Sequence, residues 1–193
     1  MTLISSRALL NYLEKTTERH IQKAIEDYQN MDRARLLKPA KDGGWSIAQC
    51  LDHLNGYGRY YYPLIQQKVD AYTQQDETYT STWLGNYFVN MMDPDTGKKK
   101  MKAFKNHVPA PDLDAHEVVS EFIRQQEHLL QLIRISRKRD LNKIKIPISL
   151  TKYIRINLGD TLRFIVAHNE RHVRQSERVA LELPNVGNVM NVG

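Results

Sequence analysis

The stretch Asp160-Thr161-Leu162-Arg163-Phe164-Ile165-Val166-Ala167-His168-Asn169-Glu170-Arg171-His172-Val173 decides how this chain folds. Leu162, Ile165, Val166, Val173 and, further on, Val179 recur at three- and four-residue steps, which is one apolar stripe along a helix. Gly159-Asp160 punctuates its start, where Asp160 is predicted to cap it. The helix is predicted to reach about Leu183, where Pro184 ends it. His168 and His172 stand on the same helix. Four residues advance a helix by about 400°, so the two imidazoles lie roughly 40° apart and about 6 Å along the axis. Both can turn to one ion. Glu170 follows His168 by two and points about 200° around the helix. The segment is therefore not the HExxH of a zinc protease, and Glu170 cannot serve as that family's base.

Working outward, three more helices of the same kind appear. Residues 5–30 carry Leu10, Leu13, Thr17, Ile21, Ala24 and Tyr28 at helical spacing. Ser46-Ile47-Ala48-Gln49 is a capping box, with Trp45 placed to staple the first turn. Ile47, Leu51, Leu54, Tyr61 and Ile65 continue its stripe toward Tyr72, and Pro63 predicts a kink between Arg59 and Tyr62. A fourth helix opens at Asp114 with Glu117 three residues on, and buries Val118, Phe122, Leu129, Leu130 and Ile133. Residues 74–113 form a long connection, with a short helix within Thr80 to Met92 and a turn at Asp93 to Gly97. Ile144, Ile146, Ile148 and Leu150 alternate with polar residues, which predicts an extended crossover before the last helix. Four amphipathic helices of roughly 20–28 residues bury their stripes together in an all-α four-helix bundle. Residues 1–184 are read as one domain and 185–193 as a tail.

Composition bounds the function. The chain has 193 residues, a single cysteine (Cys50), and 28 basic against 22 acidic side chains, a net charge of +6. One cysteine excludes a disulfide framework and a cysteine-based zinc finger, leaving histidine as the main soft ligand. No apolar run reaches the length of a membrane span, and the N-terminus lacks a secretory signal, so a cytoplasmic setting is expected. The basic surplus invites a nucleic-acid reading. No helix-turn-helix, RNA-binding or basic-zipper pattern supports it, however, and a solvated basic surface is the expected reading.

Zinc in catalytic sites usually takes three protein ligands, so the pair on the last helix needs a partner. His53 is the best candidate: it sits two turns after the Ser46 cap, beside the inward stripe. An i, i+4 histidine pair also arises by coincidence, and the residues alone leave that open. His20, His107, His116 and His128 lie in polar or loop surroundings and are read as surface. Trp83, Tyr79 and Tyr87 are read as helix core, with a lid over the site or a dimer surface as alternatives. A homodimer is the expected assembly.

Gly44-Trp45-Ser46-Ile47-Ala48-Gln49-Cys50-Leu51-Asp52-His53-Leu54 resembles the opening of the second helix in the DinB-like superfamily. Thr161 to Gln175, with its H-x-x-R-H-x-x-Q core, resembles the last helix of that family. Phe104-Lys105 followed by Pro109 and Pro111 is similar to the stretch before its third helix. The resemblance implies up-down-down-up connectivity and a divalent metal, zinc or nickel, held by His53, His168 and His172. Relatives include YfiT-like metal-dependent hydrolases, bacillithiol S-transferases and a mycothiol-dependent maleylpyruvate isomerase. These imply a small-molecule substrate, with a low-molecular-weight thiol as co-substrate. A three-histidine metal can lower the pKa of water for hydrolysis or hold a thiol as the nucleophilic thiolate. The alternatives are a non-catalytic metal- or small-molecule-binding bundle and, less favoured, a nucleic-acid-associated protein. Arg171 and Arg174 flank the motif as anion binders or surface ion pairs. Gln175 and Tyr57 share the ligand faces, as pocket residues or as packing. No residue stands out as a general base.

Overall fold

A computed structural model describes residues 3–95 and 108–183. Helix α1 (Ser6–Lys23) runs on through one π-helical turn, Ala24–Tyr28. A single turn, α2 (Arg33–Leu36), leads to α3 (Ile47–Ala71). Strand β1 (Leu3–Ser5) precedes α1 and pairs antiparallel with β2 (Thr78–Thr80). Helix α4 (Trp83–Met92) follows, then α5 (Ala115–Ser136), the strands β3 (Lys145–Ile148) and β4 (Thr151–Asn157), and α6 (Leu158–Glu182).

The long helices α1, α3, α5 and α6 form the bundle. Both α1 and α3 pack against α5 and α6, so α1 and α3 stand at opposite corners. Paired residues fix the directions. Asn11 and Glu14 of α1 reach Arg134 and Arg137 at the end of α5, so this pair is antiparallel. Arg59 of α3 meets Glu121 of α5, and Tyr62 meets His128, so these two rise together. His53 of α3 meets His172, and Tyr61 meets Phe164, so α3 opposes α6. His20 of α1 meets Glu170, and Tyr28 meets Ser176, so α1 and α6 are parallel. The order is up-down-down-up.

Local chemistry explains the helix ends. Ser46 accepts the Gln49 amide at 3.2 Å while the Gln49 side chain accepts the Ser46 amide at 3.1 Å, completing the capping box. Asp114 caps α5 through the Glu117 amide. Helix α3 passes through Pro63 as one continuous helix. Pro63 is exposed, so the Arg59 carbonyl it cannot bond faces water, where the loss is small.

Several expectations are corrected. Asn157, not Asp160, caps α6, accepting the Asp160 amide at 2.7 Å. Asp160 is fully buried one turn inside, where Tyr79, Thr82 and Arg163 all donate to its carboxylate. The alternating stretch is not a crossover but a hairpin that doubles back, with Lys145 opposite Asn157 and a bulge near Ile148. Its inward residues Ile144, Ile146 and Ile148 are buried as their period requires, whereas Leu150 is exposed. Tyr79 is core, but Trp83 and Tyr87 are exposed and stack on each other at 6.0 Å. His128 is half-buried against Tyr62.

His20 is the largest departure. It is fully buried, with Nε2 donating to Glu170 at 2.8 Å. The polar run Thr17-Glu18-Arg19 hides its inward position. Thr16, Thr17 and His20 all lie on α1's buried face, and the threonine hydroxyls bond carbonyls one turn back. Much of the basic surplus is matched across helices, Arg134 and Arg137 with Glu14, Arg59 with Glu121 and Arg19 with Glu170, while Arg174 pairs with Glu170 one turn back on its own helix. His107, the lysine cluster at 98–105 and the predicted tail 185–193 lie outside the described residues, as do Phe104-Lys105.

Candidate metal centre

Three histidines meet where α3 and α6 cross. One ring nitrogen from each of His53, His168 and His172 lies within 4.8 Å of the others. The Nε2 atoms of His53 and His168 are 3.2 Å apart. Two nitrogens bound at about 2.0–2.1 Å around a tetrahedral zinc would be about 3.3 Å apart, so the donors already have that spacing. Their relative exposures are 6%, 3% and 9%, so the cluster is buried yet open on one side. Imidazoles are neutral donors suited to zinc, nickel, copper or iron, and no carboxylate or thiol belongs to the group.

Each ring is held from outside. Gln175, one turn after His172, accepts the His172 Nδ1–H through its amide oxygen at 3.0 Å. That bond leaves Nε2 with its lone pair toward the cluster, the arrangement that orients a metal-binding histidine. Burial, then the nearby His53 and Arg171 charges, pushes the His172 imidazole down to about 3 against the pull of Gln175. It is therefore neutral at physiological pH. Tyr57, one turn after His53, lies edge-on to His168 at 4.4 Å and 5.1 Å from His53. Burial raises its hydroxyl pKa. It both packs and lines, so the two readings of Tyr57 merge.

Trp45 is a residue whose role here the sequence reading missed. It lies before the capping box as expected, but its indole sits 4.8 Å from the His53 ring and 5.6 Å from that of His172. The signal was present, because the residue before an N-cap folds over the first turn, and His53 is two turns on. Phe164 stacks on His168 from the other side at 5.7 Å.

The cluster opens into a cavity of about 1080 Å³. Tyr87, Phe88 and Met91 of α4 form one wall, and Ile148, Ser149 and Leu150 of the hairpin another. Arg171 lines it, and burial followed by the charge of Arg178 lowers the pKa of its guanidinium. Arg174 is not on the cavity. It bonds Glu170 at 2.7 Å and Asp95 at 2.9 Å, which is the surface ion-pair reading. Glu170 is drawn down to about 2: burial raises it, but the His20 hydrogen bond and the Arg174 and Arg19 guanidiniums outweigh that. Burial keeps His20 itself neutral, so it acts on Glu170 as an N–H donor and the arginines supply the charge.

With this geometry in hand, the profile of the DinB superfamily matches residues 12–176. The chain belongs to the DinB superfamily. The match reaches from within α1 to within α6 and includes all three histidines. No curated protein matches the chain. Among solved structures it is similar to YfiT from Bacillus subtilis, described as a probable metal-dependent hydrolase with an unusual four-helix bundle topology. The TM-score is 0.56 at 15% identity, covering 90% of this chain and 86% of that one. At that identity the likeness speaks to the fold. The DinB bundle of this chain thus carries its histidines on the two antiparallel helices α3 and α6.

Proposed function

We propose that this DinB-superfamily protein is a divalent-metal-dependent enzyme that activates a small nucleophile for attack on an electrophilic substrate, with a thiol as the first choice and water as the second. The observation that carries the reading is the convergence of three imidazoles from two helices at the floor of a large cavity. Zinc or nickel suits the donor set. Held there, the ion would supply Lewis acidity, lowering the pKa of a thiol or a water and leaving open positions toward the cavity.

The chain's own residues do the rest. His53, His168 and His172 would hold the ion, and Gln175 fixes the tautomer and plane of His172. Trp45, Tyr57 and Phe164 keep bulk water off the ligands, which strengthens charge interactions inside. The single thiol of the chain is buried, so the nucleophile comes from solution. The nucleophile gives its proton to solvent, and attack then forms a bond from sulfur or oxygen to the substrate carbon while the bond from that carbon to the leaving group breaks, its electron pair going with the leaving group. Tyr57 stays a neutral phenol able to donate a hydrogen bond. A reducing cytoplasmic setting, which keeps small thiols free, and a homodimer belong to the same proposal.

Elemental analysis of the purified protein tests it. About one divalent ion per chain is expected, falling to near zero in His53→Ala and in His168→Ala. Full metal content in both variants would sink the site. Turnover by reloaded protein of a panel of small thiols with epoxide or activated-halide acceptors, set against ester and amide hydrolysis, separates transferase from hydrolase. Metal without turnover in either panel favours a binding protein.

A further inference from the structure

The cavity is not uniform along its length. On α6 its lining residues include Phe164, His168, Gln175, Arg178 and Glu182, a single face spanning about 27 Å at 1.5 Å per residue. The histidine cluster divides this face. Toward Phe164 the opposite walls are Tyr61, Phe88, Met91, Ile148 and Ile156, with no charged side chain among them. Toward Glu182 the opposite wall is the loop Asp42 to Trp45, and α6 brings Arg171 and Arg178 to the cavity. These two arginines are seven residues apart, two turns, so they share one side of the helix. Asp42 and Glu182 face this end as well. Asp42 accepts the Gly44 amide at 3.0 Å, and Glu182 accepts the Lys41 amide at 2.9 Å. Glu182 thus ties the loop to α6, and Asp42 shapes the turn within it.

We infer that the cavity takes an amphiphilic substrate whose apolar, ring-bearing part lies between α4 and the hairpin and whose carboxylate is held by Arg178. This rests on reading the three histidines as the reacting centre and names the substrate class that centre serves. The apolar chamber supplies aromatic contact area, and the Arg178 guanidinium supplies charge-assisted hydrogen bonds of the planar, bidentate kind that a carboxylate accepts. Arg178 lies six residues past His172, about 9 Å along the axis.

Calorimetric titration of chelator-stripped protein tests the inference without the metal. The probes are 8-phenyloctanoate, long enough to reach from Arg178 to the apolar chamber, and its uncharged counterpart 8-phenyloctanamide. The acid is expected to bind about tenfold tighter than the amide. Arg178→Gln should bring the acid to the amide's affinity, and Phe88→Ala should weaken both alike. Arg178 is exposed, so folding and metal content of that variant should match the parent, which separates this test from failure of the metal reading. Equal binding of acid and amide, no binding of either, a preference that survives Arg178→Gln, or a preference seen only after metal is restored would each overturn it.

Discussion

At the scale of single residues, burial decides which groups can react. Cys50 is sealed in the α3 core at 0% exposure, and burial pushes its thiol up to about 12 against the weak pull of Arg178. A disulfide reagent such as dithionitrobenzoate should therefore label no thiol in the native protein over minutes and one per chain in denaturant. Rapid native labelling would show that the core opens. His20 responds to pH in a way that can be checked. Burial lowers its pKa from the ordinary 6.5, so the unfolded chain takes up that proton first. The contribution of His20 is complete above about 6.5 and is lost as pH falls from there toward its lower folded value. Urea midpoints of the stripped protein should drop more steeply between pH 7 and 5 than those of His20→Gln, which keeps a donor for Glu170 without an imidazole to charge. Parallel slopes would remove His20 from the account. His53, His168 and His172 could be picked out from residue type and helical spacing. His20 could not, and Trp45 was legible only as the residue before the cap, not as a neighbour of the histidines. A polar run hides which of its members faces inward, and reach across a cluster depends on packing angles that one-dimensional periodicity does not contain.

At the scale of elements, α4 is placed by close backbone approach. A methyl group built on Gly85 would lie 1.9 Å from the Asp160 carboxyl carbon, so α4 reaches α6 only because Gly85 has no side chain. That contact is locked by Thr82 and Tyr79, which both donate to Asp160, and by Arg163, which bonds Asn86 at 2.9 Å. Gly85→Ala should cost about 1–3 kcal/mol through overpacking, read as a lowered denaturant midpoint. It should also loosen the cavity wall that α4 carries, so bound apolar probes should weaken while metal content holds. A midpoint unchanged within a few tenths of a kcal/mol would show that α4 moves away freely. The four long helices were legible because each has a stripe, a cap and a breaker. The role of Asp160 was not, because an aspartate three residues into a helix and one at its cap look alike until Asn157 is seen to hold the position. The hairpin was legible as extended backbone, but its return needs the pairing partner, which alternation alone does not name.

For the whole molecule, the metal reading couples two segments more than a hundred residues apart. His53 is on α3 and the other two ligands on α6, so an ion bound only by the folded chain stabilises the entire bundle. Saturation at a hundred times the dissociation constant is worth about 2.7 kcal/mol, which for a domain of this size raises the melting temperature by roughly 5–10 °C. A chelator should remove that increment, and His53→Ala should never show it. Equal melting temperatures with and without metal would place any bound ion outside the bundle. Parallel running of α3 and α5 has one more consequence. Chain leaving the end of α3 must travel back about 37 Å, the length of that helix, before α5 can begin. Helix α4 lies on that return path. None of the three histidines belongs to it, yet it furnishes an outer wall of the chamber. The centre and the part that judges what reaches it are thus carried by different stretches of chain, and the second can be rewritten, by mutation or by an engineer, while the first is left as it stands.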